Sequence, residues 1–393
     1  MPFVPISSFY STTTLAGLYL HIPFCKQACH YCDFHFSTSM GLKERVLQAM
    51  QTELQLQQHY LQGAPLDTIY FGGGTPSILS ADELNQLFDT IHQLYPVNPS
   101  AEITLEANPD DLTPAKIQAL RQTPVNRLSI GVQSFHDPHL QLMNRPHTAQ
   151  EASYCIKLAQ DHGFQNLSLD LIYGIPAEDA ALWERDLALA FDLQAQHLSC
   201  YALTVEPNTV LGNRVRKGKF SPADEERVAQ QFELLMAQAA AHGFQHYEIS
   251  NFCQPGFESK HNSSYWKQVP YLGVGPSAHS FNGQSRQFNM AHNPKYVEAL
   301  TAGQLPCTVE ELTLEDRVNE YVMTTLRTIW GCDTAYIQEK WGVDLLSMHA
   351  SYLQKIIDQG LMQQEARVLR LTQAGKLLAD EIALDLFLLS ENA

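Results

Sequence analysis

The 393-residue sequence has no run of about 18 apolar residues free of charge, so it predicts no membrane-spanning helix. Residues 1–14 carry neither a basic stretch nor a long apolar one and do not resemble a secretory signal, which favours a soluble, cytoplasmic protein. Basic residues are scarce: 25 Lys and Arg stand against 42 Asp and Glu, a net charge of −17. A surface of that average sign repels polyanions and argues against nucleic acid as a partner.

Cysteine is also scarce, with eight in the chain, which excludes a fold held together by disulfides. Three of the eight, Cys25, Cys29 and Cys32, nevertheless form a C-x3-C-x2-C cluster, and the other five are scattered. The composition, 45% hydrophobic and 17% charged, is too apolar for intrinsic disorder and provides for a large core. The clustering predicts a metal site.

Short β-rich runs alternate with helical stretches from Leu15 to about Leu203, which is typical of a parallel α/β sheet built from βα units. The predicted strands cover 17–22, 68–72, 102–107, 127–132, 167–173 and 197–203. Six strands are too few for the usual eight-stranded barrel, so we expect an open, partial (βα)6 barrel, with a doubly wound sheet as the alternative.

Helix signals complete this outline. Helices are predicted over 42–60 and over 80–95, the second with Ser80 as its N-cap, and a further helix is predicted to begin at Ser221 and Pro222. We divide the chain into four parts: an extension (1–14), the partial barrel (15–215), a barrel-flanking region (216–305) and a C-terminal, mainly helical, winged-helix-like domain (306–393). At this net charge we interpret the last domain as a protein-contact module rather than a DNA reader.

The three cysteines follow the first predicted strand directly. Three thiolates on one loop can hold three irons of a cubane [4Fe-4S] cluster and leave the fourth iron open to a small molecule. The alternatives are unpaired buried cysteines or a zinc site whose fourth ligand comes from His21, His30 or His35. C-x3-C-x2-C at the end of the first strand of a partial barrel resembles the radical S-adenosylmethionine (SAM) superfamily. This resemblance implies that SAM binds the open iron and that the cofactor carries the chemistry.

Polar residues recur at the carboxyl ends of the following strands, where barrel proteins place their sites. Gly-Gly-Gly-Thr-Pro follows the second strand, and residues without side chains let backbone groups approach a ligand. Glu106, Gln133, Arg145 and Asp170 lie at or after the next three strands. Each alone could be a cap, a turn residue or half of a surface ion pair, but four in succession favour a ligand site.

The whole series is similar to the oxygen-independent coproporphyrinogen III oxidase-like branch of that superfamily. Similarity extends from Tyr19 to the C-terminal domain through LYLHIPFC, FGGGTPS, LEANPDDLT, RLSIGVQSF, LDLIYGIP and HYEISNF. It implies a cluster on Cys25, Cys29 and Cys32, and we assign no catalytic side chain. The implied SAM contacts are Tyr19, Gly73, Gly74, Thr75, Glu106, Gln133, Arg145 and Asp170.

Two features distinguish oxidases from heme chaperones within this branch, and the first is a pair of traits that the oxidases share. The oxidases resemble one another in a fourth cysteine two residues after the third and in a longer N-terminal segment. Here Phe34 occupies the position of that cysteine, and 24 residues precede Cys25. The chain therefore departs from the oxidase pattern at both points.

The second feature is the HNSSYW segment, His261 to Trp266, which resembles a motif of the heme chaperone group. It predicts His261 as a heme-iron ligand, with Tyr265 and Trp266 offering flat apolar surface to the porphyrin. The alternative is that His261 caps a turn and the aromatic side chains pack beneath the barrel. Other possible iron ligands are His279, His147 and Cys253.

We therefore expect a heme chaperone that carries a [4Fe-4S] cluster and SAM, binds heme and passes it to acceptor proteins, respiratory ones among them. In this hypothesis the cluster and SAM license or time the transfer. The alternative is an enzyme, an anaerobic coproporphyrinogen III oxidase that decarboxylates its substrate to protoporphyrinogen IX. Whether the chain is an enzyme is left open by its sequence.

Overall fold

A computed structural model describes residues 15–177, 179 and 181–389, so the predicted extension 1–14 lies outside the described residues. Six parallel strands form the centre of a twelve-stranded sheet in unbroken chain order. They are β1 (Ala16–Ile22), β2 (Leu66–Gly73), β3 (Val97–Ala107), β4 (Arg127–Gln133), β5 (Asn166–Tyr173) and β6 (His197–Ala202). A doubly wound sheet would reverse its strand order at a switch point, so this order confirms the predicted partial barrel.

Shorter strands extend the sheet at both edges. Beyond β6 lie β7 (Gln245–Glu248) and β8 (Asn251–Cys253), with β8 antiparallel to β6. Beyond β1 lie β9 (Tyr271–Val274), which pairs with β1 in parallel, then β10 (His279–Phe281), β11 (Ser285–Asn289) and β12 (Cys307–Glu311). The sheet therefore continues past the six barrel strands at both edges, by two strands beyond β6 and by four beyond β1, the strand that the cysteine loop follows.

The helices of the barrel and its flanking region are α1 (Lys43–Leu56), α2 (Ala81–Leu94), α3 (Pro114–Leu120), α4 (Asp137–Leu142), α5 (Ala149–Asp161), α6 (Leu182–Asp192), α7 (Val210–Arg216), α8 (Glu225–Ala241), α9 (Lys260–Trp266) and α10 (Asn293–Thr301). Helices α1 to α8 follow the barrel strands in the predicted alternation, and α9 and α10 follow the added strands β8 and β11. The outward residues of β1, Leu18, Leu20 and Ile22, are completely buried in the apolar core. Because side chains alternate along a strand, Tyr19 and His21 face the barrel interior.

Two predicted helix starts can be compared with the structure. Ser80 is confirmed as the N-cap of α2 and forms a capping box with Glu83. The predicted start at Ser221 and Pro222 is wrong, since α8 begins at Glu225. Asp224 is its N-cap and accepts a hydrogen bond from the Arg227 backbone N–H at 2.8 Å. A carboxylate at this position also interacts favourably with the helix dipole, which a serine does not.

The C-terminal part has its own apolar core and combines helices with a small three-stranded sheet. Its elements are α11 (Leu314–Leu326), β13 (Cys332–Asp333), α12 (Thr334–Trp341), α13 (Leu345–Met348), α14 (Ala350–Asp358), β14 (Met362–Glu365), β15 (Val368–Leu371), α15 (Gln373–Lys376) and α16 (Ala379–Asp385). This agrees with the predicted mainly helical module. Among the residues that the structure describes, no helix is long and apolar enough to cross a membrane.

Glu53 of α1 is a fully buried carboxylate that joins three elements. It accepts hydrogen bonds from the Tyr296 hydroxyl of α10 at 2.5 Å, from Asn289 Nδ2 of β11 at 2.6 Å and from the Gly275 N–H after β9 at 2.9 Å. Burial is the largest influence on this group and raises the pKa of Glu53 from 4.5 to about 7.

This pKa predicts how stability depends on pH. Between about pH 4.5 and 7 the folded chain holds a proton at Glu53 that the unfolded chain releases, so the free energy of unfolding falls as pH rises. We expect Glu53→Gln to remove up to about 3 kcal/mol of this fall. Urea unfolding of the apoprotein at several pH values measures it, with the exposed Glu44→Gln on the same helix as the control. Parallel pH profiles for the two variants would contradict the prediction.

Candidate cofactor site

The three clustered cysteines lie on the loop between β1 and α1, where all are free and partly exposed. Two of the sulfur atoms receive hydrogen bonds: the Thr75 hydroxyl donates to Cys25 Sγ and the Arg145 guanidinium to Cys29 Sγ, both at 3.3 Å. Such donors stabilise thiolate over thiol. Burial is the largest influence on the Cys25 and Cys32 thiols and raises the pKa of Cys25 to about 11 and that of Cys32 to about 12. Their deprotonation at neutral pH therefore requires a bound metal.

Backbone contacts fix this loop against the rest of the barrel rim. The Gly74 N–H donates to the Ile22 carbonyl at 2.9 Å, and the Thr75 N–H donates to the Phe24 carbonyl at 2.8 Å. On the other side, Asn144 Nδ2 donates to the carbonyl of Ala28 at 2.7 Å. The loop conformation is thus set by residues that follow β2 and α4, which holds the three cysteines in fixed positions.

The zinc alternative finds little support in the histidines around the loop. A hydrogen bond joins each of them to another group: His21 to the His35 carbonyl, His30 to the Leu142 carbonyl and His35 to Asn293. In residues 15–177, 179 and 181–389, no three acidic, Cys or His side chains converge as a single-ion site requires. A cubane cluster takes one thiolate per iron, so its cysteines need not converge on one point, and the donor set fits such a cluster.

The glycine triplet packs against the cysteine loop as closely as backbone allows. A Cβ on Gly74 would lie 2.6 Å from the Phe24 carbonyl oxygen and 2.8 Å from that of Ile22. Gly73 has φ of +103° and donates its N–H to Glu106 Oε2 at 3.2 Å. Both positions therefore require glycine, one for space and the other for its backbone conformation.

Glu106 lies at the centre of the inner rim, and sequence reasoning missed its main partner. The Tyr70 hydroxyl donates to Glu106 Oε1 at 2.8 Å, and the Tyr70 ring stacks on Tyr19 with centroids 6.1 Å apart. Tyr70 faces inward in β2, two residues before Gly72, so strand alternation was the available signal. Burial, with a smaller contribution from nearby Asp170, raises the pKa of Glu106 to about 7.

The remaining predicted SAM residues surround β4 and β5. The Ser129 hydroxyl donates to Asp170 at 3.1 Å, while burial raises the pKa of Asp170 to about 6. Arg145 donates to Asn108 Oδ1 at 2.6 Å and to the Gly131 carbonyl at 2.7 Å. Gln133 ends β4 with φ of +68°, a left-handed conformation that is costly for a residue other than glycine and recurs at functional sites.

The HNSSYW segment forms α9, whose N-cap is Ser259. His261 is 1% exposed and stacks on Tyr70, with ring centroids 4.9 Å apart. Hydrogen bonds join its Nδ1 to Thr68 Oγ1 at 2.7 Å and its Nε2 to the Tyr265 hydroxyl at 2.8 Å. Burial lowers the pKa of His261 to about 3, so the ring is neutral. The motif therefore lies directly beneath the tyrosine that contacts Glu106.

The other possible iron ligands differ in accessibility. His147 and Cys253 are buried, and His147 Nε2 is hydrogen-bonded to the Val132 carbonyl at 3.1 Å. His279 is exposed on β10, with its ring 5.8 Å from that of Phe288. It is thus the more accessible imidazole, although it lies outside the HNSSYW motif.

Comparison with known proteins places this geometry in a family. The model of the Radical SAM superfamily matches residues 19–190, and the model of the HemN C-terminal domain matches residues 312–378. Heme chaperone HemW from Bacillus subtilis is 37% identical over 94% of this chain and 98% of its own length. The chain belongs to the HemW family of radical SAM proteins.

Other relatives agree with this membership. HemW from Escherichia coli is 33% identical, over 95% of this chain and 98% of its own. The solved structure of E. coli coproporphyrinogen III oxidase (HemN), described as a radical SAM enzyme, superimposes with a TM-score of 0.82 at 21% identity, covering 96% of this chain and 91% of that one. This likeness shows that the HemW-family chain has the HemN fold.

Proposed function

We propose that this chain is a heme chaperone of the radical SAM fold, which binds heme and passes it to acceptor proteins in the cytoplasm while carrying a [4Fe-4S] cluster and SAM. Similarity to proteins named heme chaperone HemW over nearly the whole length carries this proposal. Phe34, which is 68% exposed where the oxidases of the branch have a fourth cysteine, also favours the chaperone.

In this proposal Cys25, Cys29 and Cys32 hold the cluster. SAM bound at the open iron supplies one-electron chemistry. The chain's own residues would position that group: Thr75 and Arg145 donate to the cysteine sulfurs, and Gly73 and Gly74 let the end of β2 pack closely against β1 and the cysteine loop. The SAM contacts are Tyr19, Gly73, Gly74, Thr75, Glu106, Gln133, Arg145 and Asp170.

Heme is proposed to bind through His261, whose neutral imidazole is a competent iron ligand. In the structure both ring nitrogens are hydrogen-bonded and the side chain is buried. This closed arrangement does not fit heme as it stands. Ligation therefore requires the ring to release one of its two partners.

An anaerobic heme titration of the cluster-reconstituted chain, followed by visible absorbance, tests the proposal. We expect saturable binding of about one heme per chain, weakened at least tenfold by His261→Ala because an iron–imidazole bond is lost. His279→Ala tests the exposed alternative and is expected to bind as the wild type does. Absence of saturable binding, together with conversion of coproporphyrinogen to protoporphyrinogen and matching SAM consumption, would instead identify an oxidase.

A further inference from the structure

A buried arginine lies at the start of β4, inside the barrel. Arg127 is 1% exposed and is the largest of the fully buried side chains. In the part of the chain that the structure describes, no group accepts a hydrogen bond from its Nε or its Nη1. A guanidinium group keeps its charge in proteins, and burying a charge without hydrogen bonds is costly. This cost indicates that the charge of Arg127 has a role beyond packing.

The nearest carboxylate among the described residues compensates this charge only in part. Glu102 Oε2 lies 4.0 Å from Arg127 Nε, which is too long for a hydrogen bond. The Glu102 oxygens instead accept hydrogen bonds from the backbone N–H groups of Lys260 and His261, both at 3.1 Å. The guanidinium charge therefore also acts on the other groups around it.

Two further carboxyl groups, those of Glu106 and Asp170, lie nearer the carboxyl ends of the strands. Side chains alternate along a strand, so Arg127 and Ser129 point to the same side of β4. Ser129 is the register partner of Glu106 on β3 and donates a hydrogen bond to Asp170 at 3.1 Å. Two residues along a strand span about 6.6 Å. Charges at such a separation in a buried site are screened little, so Arg127 stabilises both carboxylates.

The pKa values of the two carboxyls agree with this geometry. Burial is the largest influence on both and raises the pKa of Glu106 to about 7 and that of Asp170 to about 6. The Arg127 charge opposes both of these shifts. Arg145 also lowers the pKa of Asp170, but its guanidinium is hydrogen-bonded to Cys29 Sγ at the rim. Arg127 is thus a cation that acts on both carboxyls.

Other titratable groups around these carboxyls stay neutral near pH 7. Burial lowers the pKa of His197 and of His261, the two histidines closest to Arg127 in charge interaction. Burial raises the pKa of the tyrosine and cysteine side chains that face Glu106 or Asp170 from β1, β2, β6, α9 and the cysteine loop: Tyr19, Cys25, Tyr70, Cys200, Tyr201 and Tyr265. None of these named groups gains or loses a proton where Glu106 and Asp170 titrate.

We infer that Arg127 is a positioning residue of the proposed SAM site, whose charge favours the ionised forms of Glu106 and Asp170 from below. This inference rests on the proposed function, because the ionised carboxylates are the acceptors that the site offers to SAM. Since Nε and Nη1 make no hydrogen bond, the site uses the charge of the guanidinium and not its forked shape.

Removing this charge is expected to change how SAM affinity depends on pH. Arg127→Met keeps an unbranched side chain in the barrel, and the midpoint of the rise in SAM affinity is expected to move up by about one pH unit. SAM affinity then falls about five- to tenfold between pH 6 and 7 and recovers above about pH 9. Arg127→Lys keeps the charge without the fork and is expected to retain the wild-type midpoint.

Two measurements test the inference. The first is equilibrium dialysis of SAM against the full, cluster-loaded chain between about pH 6 and 9.5. The second is an infrared titration of protonated carboxyl groups in the full-length apoprotein, where Glu106→Gln identifies the Glu106 band. Arg121→Met is the matched control, because it removes an exposed arginine at the end of α3 and is expected to change neither profile. Should Arg127→Met not fold, Arg127→Gln removes the charge and keeps polar atoms.

The outcomes separate this inference from the proposed function. An unmoved midpoint in Arg127→Met, or a loss of SAM affinity that is equal at every pH, would refute the role of Arg127 and leave the SAM site standing. If the wild-type chain binds no SAM, the proposed site fails, and the infrared titration alone decides on Arg127. An unchanged Glu106 titration then refutes the inference, and a shift to higher pH in Arg127→Met supports it.

Discussion

Alanine at any one of Cys25, Cys29 and Cys32 is expected to abolish the [4Fe-4S] cluster after anaerobic reconstitution, because a cubane bound by three thiolates has no spare protein ligand. Iron and sulfide content and visible absorbance measure the loss. The zinc alternative predicts another result, namely zinc binding by the wild type and no cluster absorbance under the same conditions.

Cys307→Ala provides the matched control, since Cys307 is also free and half-buried but lies on the edge strand β12. It is expected to keep the full iron content. Arg145→Ala tests the surroundings of the cluster: it removes the donor to Cys29 Sγ and is expected to lower cluster retention without preventing assembly. A Cys25→Ala protein that keeps its cluster would refute the assignment of the ligands.

The barrel could be predicted from sequence because its strands are buried on the outer face and separated by amphipathic helices. Leu18, Leu20 and Ile22 alternate along β1 and form its buried outer face. Ser80 and Glu83 form the capping box at the start of α2. The helix start at Ser221 and Pro222 was predicted wrongly because two N-terminal signals, Ser-Pro and Asp-Glu-Glu, lie within a few residues. Glu225 and Glu226 follow Asp224 directly and place negative charge in the first helical turn, which favours the later start.

The contacts between site residues could not be predicted, since they depend on strand register and side-chain rotamers. Sequence placed Arg145 beside SAM, whereas the structure also brings it to Cys29 and Asn108. It likewise gave no sign that His261 lies under Tyr70. The Arg145–Cys29 and Tyr70–His261 contacts join residues more than a hundred positions apart, a separation at which local patterns carry no information.

The carboxyl group of Glu106 predicts that SAM affinity depends on pH. Its pKa is about 7, raised first by burial and then by Asp170, while the Tyr70 and Gly73 donors oppose the shift. In the proposed site SAM binds to the ionised form, which presents acceptors to the N–H groups of the ligand. Affinity is therefore expected to rise with pH, up to about tenfold per unit below pH 7, and to level off above it. The thiolates of a loaded cluster add negative charge and move this midpoint upward.

Equilibrium dialysis of SAM against the cluster-loaded chain between about pH 6 and 8.5 measures this profile. Glu106→Gln is expected to flatten it and to weaken binding about 10- to 100-fold at high pH, the worth of a hydrogen bond to a charged acceptor. Asp170→Asn separates the two carboxyls: it removes the charge that helps to raise the pKa of Glu106, so that variant should keep the rise in affinity but move its midpoint to lower pH. An unchanged rise in the Glu106→Gln protein would mean that another group controls SAM binding. Glu106 would then be a structural partner of Tyr70 and Gly73 alone.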